Sequence, residues 1–144
     1  MWANNVPSYN KEDNLRGSFL FMILTILLLA EVHFYSDFDK TVQLAQKQNK
    51  LVYVFLHEDG CPWCRRMENR VLKDADIEKT LEEGYLSVKI EKDDNIPSSI
   101  DTHFYPSSLI VDPSDNSHIL MKLIGFTGAQ SLLARLEETR EFYE

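Results

Sequence analysis

The motif Cys61–Cys64, with the sequence C-P-W-C, constrains this chain most, because it joins an apolar run to a helical pattern. The run from Leu51 to Leu56 is apolar at every position, which is typical of a central strand in a sheet covered on both faces. After the motif begins, apolar residues recur at the spacing of one helix face, at Trp63, Met67 and Val71. The sequence therefore predicts a strand, a short loop, and a helix that begins at the cysteine pair.

The two cysteines of the motif are the only ones in the chain, and their spacing indicates redox chemistry. Cys61 lies at the predicted helix N-terminus, where free N–H groups and the positive end of the helix dipole stabilise a thiolate. Such positions lower a cysteine pKa from about 8.5 to roughly 3.5–7.5. Cys64 lies one turn later, close enough to form a disulfide, and Pro62 suits the first helical turn. We predict that the pair alternates between dithiol and disulfide, with no other cofactor.

A metal-binding role for the pair is the alternative from another class of protein. Structural zinc requires about four ligands, and the motif is accompanied neither by a second cysteine pair nor by histidines at ligand spacing. A soft ion such as Cu(I) could instead be bound by Cys61, Cys64 and Met67 in a metal-carrying module. A competitive metal titration separates that module from a redox enzyme.

Length and charge bound the class of protein. The 144 residues suffice for one domain with a hydrophobic core, and the formal net charge is −8 with a sequence pI near 5.0. Nucleic-acid binding needs basic surfaces, so nucleic acid is excluded as a partner. The acidic stretches are interpreted as solvated faces.

An N-terminal segment, residues 1–35, differs from the domain predicted for residues 36–144. Within it, residues 19–30 form an uncharged block of 12 residues. This is fewer than the ~20 of a membrane-spanning helix and within the ~7–15 of a signal-peptide core. We expect export, followed either by cleavage near Ala30 or by anchoring through residues 19–35, which would be the only membrane contact.

Periodicity and turn signals order the rest of the chain as an α/β domain. The predicted helices are one capped by Ser36 or Asp37, one from 61, a short one capped by Asp74 or Asp76, and one over 127–140. The predicted strands cover 51–56, 86–90, 109–111 and 118–124. A turn-forming stretch, 112–117, separates the last two strands. Helices between the first strands imply parallel crossovers, followed by an antiparallel hairpin at one edge. The prediction is a central mixed sheet of about four strands with helices on both faces.

This order, with C-x-x-C at the start of the helix after the central strand, resembles the thioredoxin fold over residues 36–140. In detail the chain is similar to bacterial exported thioredoxin-like proteins related to the C-terminal domain of the DsbD reductase. Their pattern is matched by Lys50, Leu51, Val52, Cys61, Trp63, Cys64, Arg65 and Met67. Tyr105-Pro106 falls just before the third strand, where thioredoxin-like proteins carry a cis-proline beside the active-site cysteines.

The resemblance implies a thiol–disulfide oxidoreductase that reduces protein disulfides. Cys61 would attack a substrate disulfide as a thiolate, and Cys64 would resolve the mixed disulfide. Tyr105 and Pro106 would hold the substrate by strand-like pairing, and Trp63 would add exposed contact surface. A disulfide oxidant or isomerase is the alternative within redox chemistry.

One departure from the thioredoxin pattern concerns proton transfer. Thioredoxins bury a carboxylate in the strand that leads to the motif, where this chain has only Tyr53, Val54, Phe55 and Leu56. His57, Glu58 and Asp59, in the loop that follows, are the candidates for a substitute proton relay.

The predicted setting of the enzyme follows from the export segment. We expect a periplasmic monomer, either soluble after cleavage or tethered to the inner membrane by its N-terminus. Its partners would be a protein that carries a disulfide and an upstream thiol reductant.

Overall fold

The apolar run predicted as the central strand lies in the middle of a five-stranded sheet in the computed structural model, which describes residues 32–143. The elements are, in chain order, β1 (Phe34–Tyr35), α1 (Phe38–Gln48), β2 (Leu51–His57), α2 (Pro62–Arg70), α3 (Ala75–Gly84), β3 (Tyr85–Glu91), β4 (Ser107–Asp112), β5 (Asp115–Ile124) and α4 (Ala129–Tyr143). The predicted export segment, residues 19–30, lies outside the described residues.

The strand order across the sheet is β1-β3-β2-β4-β5. Strand β2 is parallel to β3 and antiparallel to β4, and β5 is antiparallel to β4. The predicted parallel crossover and edge hairpin are therefore confirmed. The sheet has five strands rather than about four, because Phe34 and Tyr35 pair in parallel with Ser87 and Val88 of β3. A strand of two residues is too short for alternation to appear, and it follows closely on the apolar N-terminal block.

The first helix and the short helix before β3 begin at aspartates, as their sequences predict. The side chain of Asp37 accepts the Lys40 N–H at 3.0 Å at the start of α1. Asp74 accepts the Asp76 N–H at 3.1 Å at the start of α3. Helix α1 ends at Asn49, whose φ of 52° is the left-handed conformation that asparagine tolerates. Each cap satisfies backbone groups that a helix end leaves unpaired.

Two apolar layers hold β2 from opposite sides. Alternate residues Val52, Val54 and Leu56 pack in the layer that includes α1. Residues Tyr53 and Phe55 pack on the other face with residues of α2, α3 and α4. Because the strand is buried on both faces, its C-terminal end is a firm support for the loop that leads to Cys61.

The hairpin between β4 and β5 is tighter than the sequence predicts. Only Pro113 and Ser114 form the turn, and β5 already begins at Asp115. The Asp112 carboxylate closes the turn by accepting the Ser114 N–H at 2.7 Å. The predicted turn over 112–117 is therefore too long, because Asp115 already pairs with Asp112. The register of the two strands then shifts before Ile119 pairs with Val111. Within residues 32–143, no helix combines the length and apolar composition required to span a bilayer.

Candidate active site

The cysteine pair lies where the sequence predicts it, at the N-terminus of the helix that follows β2. Gly60 turns the loop into the helix with a φ of 73°, a conformation that glycine adopts without steric cost. Cys61 is the N-cap of α2, and Pro62 occupies the first helical turn. Cys61 and Cys64 form a disulfide, with their Cα atoms 5.3 Å apart. The Cys64 N–H donates to Cys61 Sγ at 3.1 Å, so a backbone donor already points at the sulfur that would become a thiolate.

The two sulfur-bearing residues differ in access to solvent. Cys61 is partly exposed, whereas Cys64 is only 2% exposed. Trp63, between them, points outward with 53% of its surface exposed. A large partner can therefore approach the Cys61 side of the disulfide, while Cys64 is reached only from within the protein.

Tyr105 and Pro106 lie at the same end of the sheet as the cysteines. Ser107, the residue after them, pairs with Leu56 near the end of β2, and the loop to Cys61 starts just beyond. The Tyr105–Pro106 peptide bond is cis. The Pro106 carbonyl accepts the Gly125 N–H at 2.8 Å, whereas no hydrogen bond from residues 32–143 engages the Tyr105 backbone. The Tyr105 N–H and carbonyl are thus available to another chain.

A polar cluster lies at the end of β2, the strand that leads to the cysteine pair. His57 Nδ1 is 3.1 Å from a Glu91 carboxylate oxygen and 4.0 Å from a Glu68 oxygen. Lys89 Nζ is 3.0 Å from the other Glu68 oxygen. Burial and the Lys89 ammonium lower the pKa of His57, although Glu91 and Glu68 oppose this shift. His57 is therefore a neutral imidazole at pH 7, next to carboxylates that can share a proton with it.

The other two relay candidates, Glu58 and Asp59, have partners of their own. Glu58 forms an ion pair with Lys92. The Asp59 carboxylate accepts the Gly60 N–H at 2.8 Å, and the Asp59 N–H donates to Glu91 at 2.6 Å. These contacts connect the β2–α2 loop to the end of β3. The structure thus brings His57, but neither the Glu58 nor the Asp59 carboxylate, into the polar cluster.

Glu68, Lys89 and Glu91 are the site residues that sequence reasoning missed, and Glu91 is the β3 partner of His57. Glu68 lies one helical turn after Cys64, so both belong to the same side of α2. Lys89 is the β3 partner of Phe55, which occupies the strand before the motif. The spacing of Glu68 from Cys64 was a usable signal for this carboxylate. The position of Lys89 follows only from the strand register.

The metal-binding alternative finds no support in the geometry. In the part of the chain that the structure describes, no three His, Cys, Asp or Glu side chains are grouped as metal ligands. Met67, the third ligand of the soft-metal hypothesis, is fully buried in the core beside Phe55 and Val71. Its thioether packs in the interior, whereas Cys61 is at the surface.

Comparison with known proteins places these features in a family. A family model described as thioredoxin-like matches residues 33–113, whereas no curated protein sequence matches the chain. A thioredoxin from Thermus thermophilus superposes with a TM-score of 0.62 at 20% identity, covering 75% of this chain and 86% of that one. The oxidised C-terminal domain of DsbD from Neisseria meningitidis gives 0.60 at 16% identity, over 75% and 100% of the two chains. A DsbH oxidoreductase gives 0.59 at 12% identity, over 97% and 95%. The predicted fold and the predicted resemblance are confirmed.

Proposed function

Because the chain belongs to the thioredoxin-like family and is a thiol–disulfide oxidoreductase, we propose that it reduces protein disulfides outside the cytoplasm. The observation that carries this proposal is the unequal access of the two sulfurs: Cys61 is partly exposed and Cys64 is buried. Exchange through a mixed disulfide needs one accessible nucleophile, and a shielded second thiol can then resolve that intermediate without itself reacting with the partner.

In the reduced enzyme, the Cys61 thiolate attacks one sulfur of the substrate disulfide. A mixed disulfide forms between Cys61 and the substrate, and the other substrate sulfur leaves as a thiolate. Cys64 then loses its proton and attacks Cys61 Sγ, which breaks the mixed disulfide and releases the second substrate thiol. Two electrons pass to the substrate, and the enzyme is left with the Cys61–Cys64 disulfide. A dithiol reductant returns the enzyme to its reduced form.

The backbone at Tyr105 supports the substrate during this exchange. Its N–H and carbonyl have no partner within residues 32–143, and Pro106 beside them is buried and held through its carbonyl by Gly125. An extended substrate segment that pairs with Tyr105 would lie at the sheet end from which the loop to Cys61 departs. Trp63 adds apolar contact surface next to the reacting sulfur.

The proton of Cys64 passes to the polar cluster in this proposal. A base must lie within reach of the proton that it accepts, and Glu68 is one helical turn from Cys64 on the same side of α2. His57 is neutral and contacts both Glu68 and Glu91, so it can take up a proton that a carboxylate receives. The cluster would thus replace the buried strand carboxylate of thioredoxins.

Trapping experiments test the assigned roles of the cysteines. The reduced Cys64→Ser variant should accumulate a mixed disulfide with a disulfide-bonded protein substrate such as insulin, visible on a non-reducing gel. The matched Cys61→Ser variant should form none, because Cys64 is shielded. Iodoacetamide should alkylate Cys61 first in the reduced wild type. Trapping by Cys61→Ser instead would reverse the roles.

The direction of electron flow and the compartment need separate measurements. Equilibration of the Cys61–Cys64 pair with glutathione buffers gives its reduction potential, and a potential as oxidising as that of a disulfide donor would favour the oxidase or isomerase alternative. We further propose a periplasmic monomer, released by cleavage or tethered through the apolar block, residues 19–30, since Phe34 and Tyr35 belong to β1. An alkaline phosphatase fusion placed after Tyr35 should be active, and an inactive, well-expressed fusion would refute export.

A further inference from the structure

One flank of α2 carries a surface of arginines and aromatic rings beside the disulfide. We call it the arginine–aromatic surface and define it as Trp63, Arg66, Arg70 and Phe126. The first three lie at helical spacing, one turn apart, and Phe126 comes from the connection between β5 and α4. The Trp63 and Phe126 ring centroids are 5.6 Å apart. Arg66 Cζ lies 5.4 Å from the Trp63 centroid and 5.3 Å from the Phe126 centroid, so the guanidinium lies over both rings at cation–π distance.

This surface is open to a partner. Trp63 is 53% exposed and Phe126 is 37% exposed. Arg66, Arg70 and their neighbours Arg65 and Asn69 line a shallow depression of about 460 Å³. A guanidinium over a ring face can still bind a carboxylate through two of its N–H groups. The geometry combines apolar contact at the disulfide with anion binding one to two turns further along the helix.

The charge of the surface contrasts with that of the chain. The protein carries a formal net charge of −8, and yet no carboxylate among residues 32–143 lies within ion-pair distance of Arg65, Arg66 or Arg70. The one acidic residue of α2, Glu68, pairs with Lys89. On the other side of Cys61, the loop carries acidic Glu58 and Asp59. The sign of the local charge therefore changes across Cys61.

We propose that the arginine–aromatic surface selects protein partners whose reactive cysteine is flanked by an acidic segment. This inference rests on the proposed function, because the segment is brought to α2 by exchange at Cys61. The overall negative charge makes an anionic membrane a poor fit for the whole molecule, whereas a short acidic segment meets only the local positive field.

The spacing of the arginines sets the position of the acidic residues in the partner. At 1.5 Å rise per residue, Arg66 and Arg70 lie about 7.5 Å and about 13.5 Å along the helix axis from Cys61. An extended chain advances about 3.3 Å per residue. Carboxylates about two to four residues from the partner's cysteine would therefore face the two arginines.

Matched peptides test this selection. Each peptide carries one cysteine as a mixed disulfide with thionitrobenzoate, and Glu, Gln or Lys occupies positions two to four on one side or the other of the cysteine. Attack by Cys61 on the peptide sulfur releases coloured thionitrobenzoate, and Cys64 then releases the peptide thiol. We compare the faster of the two Glu peptides with the Lys peptide that carries its charges on the same side of the cysteine. At low ionic strength, the second-order rate constant of the reduced enzyme should be about tenfold higher for the Glu peptide. Added salt should reduce this ratio.

Charge reversal supplies the decisive variants. Arg66→Glu/Arg70→Glu should invert the ratio of Glu to Lys peptide rates, while the Gln peptide reports any general change in Cys61 reactivity. Lys47→Glu/Lys79→Glu changes the net charge equally at exposed positions of α1 and α3, and it should keep the wild-type preference. The milder Arg70→Gln variant should lower the ratio about twofold, and circular dichroism checks the fold of each variant.

Three results would overturn the inference. Equal rates for Glu and Lys peptides in the wild type would refute it, while insulin reduction by the same sample would leave the proposed function intact. Failure to reduce any peptide or insulin would refute both. The third result combines two observations: the wild type shows no peptide preference, and it binds phosphatidylcholine–phosphatidylglycerol vesicles in a way that Arg66→Glu/Arg70→Glu abolishes. The surface would then be a membrane contact instead.

Discussion

Replacing Tyr53 by Phe should destabilise the domain, because it leaves the buried Ser108 hydroxyl without a hydrogen-bond partner in the sheet that carries the active site. Tyr53 in β2 is fully buried, and its hydroxyl lies 2.8 Å from Ser108 Oγ in β4. Tyr53 is directly opposite Ile110, so Ser108 is its diagonal neighbour on the same face. Burial raises the pKa of Tyr53, which keeps the phenol protonated and able to donate or accept this hydrogen bond.

The magnitude follows from what each variant leaves unpaired. Tyr53→Phe leaves the Ser108 hydroxyl buried without its partner, which costs about 1–3 kcal/mol. Ser108→Ala leaves the Tyr53 hydroxyl in the same condition, at a similar cost. The double variant removes both polar groups, so its loss should be well below the sum of the single losses. The expected coupling is about 1–3 kcal/mol.

Urea unfolding of the four oxidised proteins, followed by circular dichroism, measures the free energy of unfolding for this cycle. The four proteins must have the same m-value, since a changed m-value would indicate a different unfolded or folded state. Additive losses from the two single substitutions would refute it, because the hydroxyls would then not depend on each other.

Two further predictions concern polar groups near the site and in the sheet. The pKa of His57 is lowered from its ordinary 6.5, so the unfolded chain binds this proton first as the pH falls. The free energy of unfolding should therefore fall as the pH drops below about 6.5. In pH-dependent urea unfolding, His57→Gln should flatten that decline, and an unchanged profile would contradict the assignment. The Ser87 hydroxyl is buried with no hydrogen-bond partner among residues 32–143, so Ser87→Ala should be neutral or raise stability by up to about 1 kcal/mol in the same assay, and a clear loss would show a missed partner.

The central unit was predictable because its signals are local. The apolar run of β2, the cysteine pair and the periodicity of α2 lie within about 20 consecutive residues, and each follows from backbone geometry. The helix caps at Asp37 and Asp74 were readable for the same reason. The edge strand at Phe34 and the early start of β5 were not, because pairing with β3 and β4 overrides weak local preferences.

The amino-acid sequence by itself determined that a dithiol pair would begin a helix after a buried strand, and that this unit would lie in a mixed α/β sheet. Those features depend on spacing along the chain, which the sequence contains directly. Because Cys61 lies at the tip of the helix, the sequence also predicted that its sulfur is the accessible one. Only the tertiary structure decided which charges surround His57, and that Phe126 joins Trp63 around Arg66. These contacts depend on residues distant in sequence, which come together only when the strands pair and the helices pack on the sheet.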